Sequence, residues 1–361
     1  MSHVISVAPA LPGPPWTQEE ITAAVGPLLA PDPTSRALLA KVHRNSGVTT
    51  RHLALSPHEY AGLGDFGATN ELFRTLGTDL AEQAAAEALR SAGIAPQEVD
   101  HVLFTSVTGI SAPSVDALLV GRLGLRPDVR RLPSFGLGCV AGAAGLARVH
   151  DYLVGHPADV ALLVCLELCS LTVQRGDRSR ANMVASGLFG DGAAAAVVVG
   201  DAHPAVARAR RGPEVVATRS RLYPGTEGAL GWDVGADGFR IVLSPELPAL
   251  VETGLGPDAE ALLADHDLKP GDVTTWVVHA GGPRILDAVQ AALDLPDEAL
   301  RTSRASLAAV GNLSSASVLD VLHRTLEGPP PEPGSPGMVV AFGPGVSAEL
   351  VLLRWPEPVP C

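Results

Sequence analysis

One strand-then-helix step occurs twice along this chain in a single register, and that repeat narrows what the chain can fold into. In the first half, VDHVLFTSV reads as a buried strand bounded by Gly109. FGLGCVAGAAGLARVHDYLVG reads as a short strand running into a helix dense in small residues. In the second half, VTTWVVHAGG is a strand, and VGNLSSASVLDVLHRTL is a small-residue turn opening a helix. Thr275 follows Val102, both early in their strands, by 173 residues, and Asn312 follows Cys139 by the same 173. A constant offset of this kind points to an internal duplication, although the two halves share few residue identities.

The remaining segments fit the alternation. A long helix spans about 69–93 and stops at Gly93, and SVDALLVGRLGL is a second helix. DVALLVCLEL is a buried strand, and LFGDGAAAAVVVGD is a turn feeding another. PRILDAVQAALDL is a helix, and GMVVAFGPG and AELVLLRW close as a hairpin-like pair. Strands alternating with helices predict an α/β protein whose sheet is largely parallel and covered on both faces. Residues 1–35 are Pro-rich, with a short polar helix signal near Thr17–Ala24, and Pro329–Pro336 reads as a surface loop.

At 361 residues the chain has room for two core units. Hydrophobic residues make up 46% and the mean hydropathy is +0.23, which excludes a disordered chain. With 4% aromatics, the core must be Ala, Val and Leu. The net charge of −13 excludes a nucleic-acid binder and leaves room only for a local basic patch. Such a patch has few sources, since Lys41 and Lys269 are the only lysines. Four cysteines, Cys139, Cys165, Cys169 and Cys361, are too few for a disulfide scaffold, and a reducing cytoplasm fits them. The first residues read as no signal peptide, and no apolar run reaches the ~18 residues of a membrane helix.

Cys139 has the strongest chemical signal. Gly136 and Gly138 permit a sharp turn before it, and a helix begins after it. A thiol at a helix N-terminus is expected to have a lowered pKa, which suits a nucleophile. An arbitrary Cys is more often a small buried hydrophobe, and that reading wins for Cys165 and Cys169, as core or cavity wall. His279 ends a buried strand, where α/β sheets place ligand-contacting groups, and Gly281 and Gly282 leave room beside it. Asn312 is by type an N-cap, but its repeat position sets it opposite Cys139. A thiolate, an imidazole and an amide donor can together take an acyl group and stabilise an enolate or oxyanion. FGDG and FGPG are Gly turns and not dinucleotide fingerprints. No carboxylate pair stands out for glycosidase work.

The motifs GLGCVAGAAG, LFGDGAAAAVVVG, HAGGPRILD, GNLSSASVL and AFGPGVSAEL occur in this order across about residues 10–355. In them the chain resembles the type III polyketide synthases, the chalcone-synthase-like branch of the thiolase superfamily. VTGISAPSVDALLVGRLGLRPDVRR, LVCLELCSLT and GWDVGADGFR look like the actinobacterial alkylpyrone synthases. The resemblance implies a thiolase-like fold of two pseudo-symmetric βαβαβ-type halves in layers α-β-α-β-α. It sets residues 1–205 with the nucleophile in one half, and 206–361 with His and Asn in the other. It makes Cys139 the acylated residue and gives decarboxylation to His279 and Asn312. Phe189 falls at the gate between a CoA tunnel and the cavity. A second gate aromatic is not placed in FRIVLSPEL. Thr108, Ala112 and Cys169 match small residues that open an acyl tunnel, and Gly281, Gly282 and Ser314 match substrate contacts. Lys41 matches a CoA contact, Asn45 stands where plant members have Lys, and Arg284 is positioned to replace that charge.

The resemblance further implies a cytoplasmic acyltransferase. Such an enzyme uses acyl-CoA and malonyl-CoA with no cofactor or metal, acts as a homodimer, and makes an alkylpyrone or related product from an aliphatic starter. A single-condensation ketoacyl synthase III-like enzyme shares the residue set. A papain-like protease shares the order Cys, His, Asn and a Cys-to-His gap of 140 residues, but Cys139 lacks the C-G-x-C-W context. An acyl-binding protein would need the cavity without the triad.

Overall fold

The computed structural model describes residues 1–208 and 212–357; Cys361 lies outside the described residues. The chain opens with β1 (Ser2–Ala10), β2 (Trp16–Thr17), α1 (Gln18–Leu29), α2 (Pro33–Arg44) and β3 (Thr50–Arg51). Then come α3 (Phe66–Ala92), β4 (Val99–Thr105), α4 (Val115–Leu123), β5 (Arg130–Ser134) and α5 (Ala141–Gly155). β6 (Val160–Leu168), α6 (Arg180–Leu188) and β7 (Asp191–Gly200) follow. The second part holds β8 (Glu214–Leu222), β9 (Leu230–Gly235), β10 (Gly238–Leu243), α7 (Leu247–Ala264) and β11 (Thr275–Val278). It ends with α8 (Pro283–Ala292), α9 (Arg301–Val310), α10 (Ser317–Glu327), β12 (Pro336–Gly343) and β13 (Ser347–Arg354).

Caps written into the sequence set the helix ends. Thr17 accepts the Glu20 N–H at 3.2 Å while Glu20 accepts the Thr17 N–H at 2.8 Å, a capping box that starts α1. Asp65 accepts the Ala68 N–H at 3.0 Å, which starts α3 three residues earlier than its apolar spacing suggests.

Nine strands join in the order β11-β12-β13-β8-β1-β7-β6-β4-β5. The sheet is mixed, not largely parallel. β4–β5, β4–β6 and β11–β12 are parallel, and the other five pairings are antiparallel. Parallel pairs arise where a helix crosses over, as through α4 between β4 and β5. β7 and β13, which follow the FGDG and FGPG turns, run back against their neighbours. The repeat is visible in the strand order. β1-β7-β6-β4 and β8-β13-β12-β11 each pair antiparallel, antiparallel, parallel, and Val102 and Thr275 lie on the matching strands β4 and β11.

Five layers result. α3 packs on β1, β6 and β7, α5 and α10 lie between the two halves of the sheet, and α7 covers β8 and β13. Alternate residues of β6 enter different cores: Leu162, Val164 and Leu166 meet α3, while Leu163 and Cys165 face α5. The Pro-rich start conceals β1, which sits in the middle of the sheet against both β7 and β8.

Candidate active site

Cys139 lies in a tight turn, Gly138–Val140, that feeds α5. Gly138 has φ +57°, and a Cβ there would stand 2.8 Å from Pro344 of the FGPG loop. The turn therefore needs Gly both for its backbone and for close approach of that loop. A Cβ on Gly142 would collide with the Ser315 carbonyl, so the small residues of α5 let the turn at residues 312–316 come up against Cys139. The Cys139 Sγ is 3.7 Å from Ser314 Oγ.

His279 follows β11 directly, and its N–H donates to the Val340 carbonyl at 2.8 Å. It is 2% exposed, and its Nδ1 has no partner among the described residues. Asn312 is fixed by its own amide. Oδ1 accepts the Ser314 N–H at 2.8 Å and the Ser317 hydroxyl at 3.3 Å, and Nδ2 donates to the Gly281 carbonyl at 3.2 Å. The second Nδ2 hydrogen remains for a ligand.

Cys139, His279 and Asn312 line one cavity of ≈ 610 Å³, together with Phe189, Gly281, Gly282, Lys41 and Arg284. Ser314 touches it through the thiol. Lys41, Arg284 and Arg180, the first residue of α6, are exposed at its rim. Arg180 carries no signal in the sequence because it belongs to no motif. A second cavity of ≈ 890 Å³ lies beyond Phe189, lined by Cys169, Ser170, Thr172, Gln174, Asn182 and Trp232 among others. Phe189 lines both cavities and so stands between them.

Of the three tunnel residues, only Cys169 reaches the larger cavity. Thr108 is turned into a polar knot: its hydroxyl donates to Glu167 Oε2 at 2.8 Å and accepts the Leu168 N–H at 2.9 Å. Ala112 is exposed and lines neither cavity. Glu167 is fully buried and also holds Ser315 Oγ at 2.5 Å and the Val107 N–H at 3.1 Å, which anchors the turn that carries Ser314. Its carboxyl is pushed up by burial, against these hydrogen bonds.

The thiol differs from expectation. Burial pushes Cys139 up to about 12, although the neighbouring Ser314 and Asn312 side chains act to lower it. A helix terminus offers about 0.3–2 kcal/mol, equivalent to about one pKa unit or less in most settings, and desolvation outweighs it. Burial alone pushes His279 down to about 4. Both shifts act in one direction, toward a protonated thiol and a neutral imidazole in the ligand-free site.

Two family descriptions match the chain: chalcone and stilbene synthases, N-terminal domain, over residues 40–203, and chalcone and stilbene synthases, C-terminal domain, over 214–356. A 1,3,6,8-tetrahydroxynaphthalene synthase of Streptomyces peucetius subsp. caesius is 52% identical over 98% of this chain and 93% of its own length. The alpha-pyrone synthesis polyketide synthase-like Pks18 of Mycobacterium tuberculosis is 32% identical over 89% of this chain and 83% of its own. The crystal structure of the 1,3,6,8-tetrahydroxynaphthalene synthase of Streptomyces coelicolor A3(2) superposes with a TM-score of 0.92 at 32% identity, covering 99% of this chain and 100% of that one.

Proposed function

The chain belongs to the chalcone and stilbene synthase family and is a type III polyketide synthase, an acyl-transferring enzyme of thiolase-like fold. From that premise we propose that it condenses malonyl-CoA units iteratively on Cys139. The observation that carries this reading is the convergence of Cys139, His279 and Asn312 in one cavity with a basic rim, set off by Phe189 from a larger chamber.

In the first step the Cys139 sulfur attacks the acyl-CoA carbonyl as its proton passes to His279, and CoA thiol leaves with a proton. Malonyl-CoA then enters and loses CO2. The resulting enolate oxygen takes hydrogen bonds from His279 and the free Asn312 N–H. Its carbon attacks the Cys139 thioester, the C–S bond breaks, and the chain is two carbons longer on CoA. Return of that chain to Cys139 repeats the cycle. Thioesters carry their own activation, so these steps call for no metal or organic cofactor. Lys41, Arg180 and Arg284 hold the CoA phosphates at the rim. Residues 1–205 bring the nucleophile and 206–361 bring His279 and Asn312, so the site closes where the two halves meet.

The product we favour is a polyhydroxylated arene of the tetrahydroxynaphthalene type, built from malonyl units. Oxygens at positions 1, 3, 6 and 8 of that ring system fall on alternate carbons of the folded chain, the pattern that two-carbon condensations leave. The polar groups of the larger cavity, Ser170, Thr172, Gln174 and Asn182, suit a chain with a carbonyl at every second carbon. An aliphatic starter and an alkylpyrone are the second reading. The apolar wall of Ile21, Val25, Leu28 and Leu29 in the same cavity favours it.

Incubation with malonyl-CoA alone, and with acyl-CoAs of graded length, separates the two by mass spectrometry. Tetrahydroxynaphthalene from malonyl-CoA alone is expected, and alkylpyrones only with added acyl-CoA establish the second reading. One condensation and no more would indicate a ketoacyl synthase III-like enzyme. Cys139→Ala is expected to abolish either product while leaving the thermal unfolding curve in place.

We also propose a homodimer in the cytoplasm. β5 lies at the sheet edge, and Leu132, Phe135, Leu137 and Ile110 are exposed beside it, an apolar strip that a second copy would cover. Cys139, Cys165 and Cys169 are all unbridged, in keeping with a reducing compartment. Light scattering at micromolar protein that reads a monomer would count against the dimer.

A further inference from the structure

Arg51 is buried to 2% exposure on the short strand β3, outside every motif that carries the proposed chemistry. Its guanidinium is forked between two partners. Nη1 donates to the Phe189 carbonyl at 2.6 Å, and Nη2 donates to Gln18 Oε1 at 2.8 Å. Gln18 in turn donates to the Gly187 carbonyl at 2.5 Å. Two carbonyls at the end of α6 are thus held from one side by Arg51 and Gln18. The carbonyl of the next residue, His52, accepts the Asp191 N–H at 3.0 Å and extends the grip past Phe189.

The other side of the same segment is bonded to the catalytic turn. The Asn312 N–H donates to the Leu188 carbonyl at 2.9 Å, and the Gly190 N–H donates to the Asn312 carbonyl at 2.9 Å. Residues 188–190 therefore form a slat with Arg51 on one side and Asn312 on the other. The aliphatic part of Arg51 also packs where a Cβ on Gly311 would lie, 3.0 Å from Arg51 Cδ, with Gly311 at φ +73°. Arg51 thus contacts the residue before Asn312 as well as the backbone of Phe189.

We propose that Arg51 is a positioning residue that locks the Phe189 partition and the Asn312 amide into one unit, so that enolate formation stays coupled to carbon–carbon bond formation. The inference rests on the decarboxylative condensation proposed above. Decarboxylation leaves an enolate with two fates. It attacks the Cys139 thioester, or it takes a proton and leaves as acetyl-CoA. A slack partition admits water and lets the Asn312 donor drift from the enolate oxygen, and both changes favour protonation. Asp191 lies near enough to Arg51 for their charges to be felt, but the carboxylate spends its hydrogen bonds on the Ser170 N–H and hydroxyl and the Ala54 N–H. The fork of Arg51 is thus given to the gate segment and not to that carboxylate.

The test measures both products of malonyl-CoA, acetyl-CoA and polyketide, in purified Arg51→Met and Arg51→Lys enzymes. Arg51→Met keeps the length of the side chain and removes the fork. It is expected to raise the acetyl-CoA to polyketide ratio by about tenfold, the change that loss of one hydrogen bond to a charged group corresponds to. The KM for malonyl-CoA should stay within about twofold, since the rim cations are untouched. Arg51→Lys, which retains one donor, should recover part of the coupling. Should Arg51→Met fail to fold, Gln18→Met removes the second anchor of the fork and is expected to shift the ratio in the same direction. A residue that only supports the fold would lower both products together. An unchanged ratio in folded Arg51 and Gln18 variants overturns the proposal and leaves the polyketide reading standing. A wild-type enzyme that releases no CO2 from malonyl-CoA overturns both.

Discussion

The Cys139 Sγ lies 3.7 Å from Ser314 Oγ, and Ser314 holds that place with a left-handed backbone at φ +49°. A non-glycine residue pays on the order of 1–3 kcal/mol for such a conformation, and it persists only where neighbours over-determine it. Here Asn312 Oδ1 fixes the Ser314 N–H, and buried Glu167 fixes Ser315. The hydroxyl is thereby kept beside a thiol that burial otherwise holds protonated.

That relationship predicts the pH profile of the thiol. With Cys139 pushed up to about 12 and His279 down to about 4, burial weights the resting site toward thiol and neutral imidazole. Alkylation of Cys139 by iodoacetamide in the ligand-free enzyme should keep rising with pH beyond 9. Ser314→Ala removes a partner that lowers the thiol pKa and should slow alkylation further at each pH. A plateau reached near pH 6–7 would mean that the pair is ionised and that burial does not control the thiol.

The rim predicts a separate kinetic signature. Lys41, Arg180 and Arg284 come from α2, α6 and α8, and none joins an ion pair among the described residues. Exposed charge contacts are worth about 0.2–1 kcal/mol each. Each alanine variant should therefore raise the KM for malonyl-CoA by about two- to fivefold with kcat little changed. The effect should shrink at high salt. A fall in kcat at constant KM for Arg180→Ala would remove that residue from the CoA contacts.

Cys169 and Thr108 diverge in the structure, so their variants should diverge in the test tube. Cys169 lines the larger cavity, and Cys169→Phe should shorten the chains or products accepted. Thr108→Val strands the Leu168 N–H and removes a donor to Glu167, both buried. Unfolding should register a loss of about 1–3 kcal/mol with the product spectrum unchanged. A product spectrum that shifts with Thr108→Val and not with Cys169→Phe would reverse the two assignments.

The contrast also shows what the sequence could and could not disclose. Cys139, His279 and Asn312 were legible because each sits in a Gly-rich turn at a strand or helix end and in a motif that resembles the family's. The gate position of Phe189 was legible from the family motif. Thr108 and Ala112 were harder to place, because a small residue has the same signature in a tunnel, in a polar knot and on a surface. β1 was hidden because Pro9, Pro12, Pro14 and Pro15 mask the HVISV alternation that buries it. Arg180 lacked any signal, and Arg51 stood out only as one of the basic residues of the segment 36–60. Their roles depend on Phe189 and on the rim of the cavity, to which only the folded chain brings them.

Two buried histidines predict the acid limb of stability. Burial, reinforced by the Arg51 charge, pushes His43 from 6.5 down to about 3, and burial pushes His279 down to about 4. A base whose folded pKa is depressed leaves the protein most stable above the unfolded pKa. Below 6.5 the unfolded chain takes the proton that the folded chain refuses. Stability then falls by about 1.36 kcal/mol per pH unit for each such histidine, until the folded pKa is reached. Asp191 acts in the opposite sense, because burial raises it to about 6 and the folded chain takes its proton first. Glu167, raised by burial, acts as Asp191 does. A single variant isolates the histidine contribution. His43 bonds to Thr22 at 2.7 Å and to Ser186 at 3.1 Å, and His43→Gln retains polar partners for both without a titrating group. Urea unfolding at intervals from pH 6 to pH 4 should give a stability curve whose slope is lower in His43→Gln by about 1.36 kcal/mol per pH unit. Parallel curves for the two proteins would show that His43 already carries its proton in the fold, and that its pocket is wetter than its burial implies.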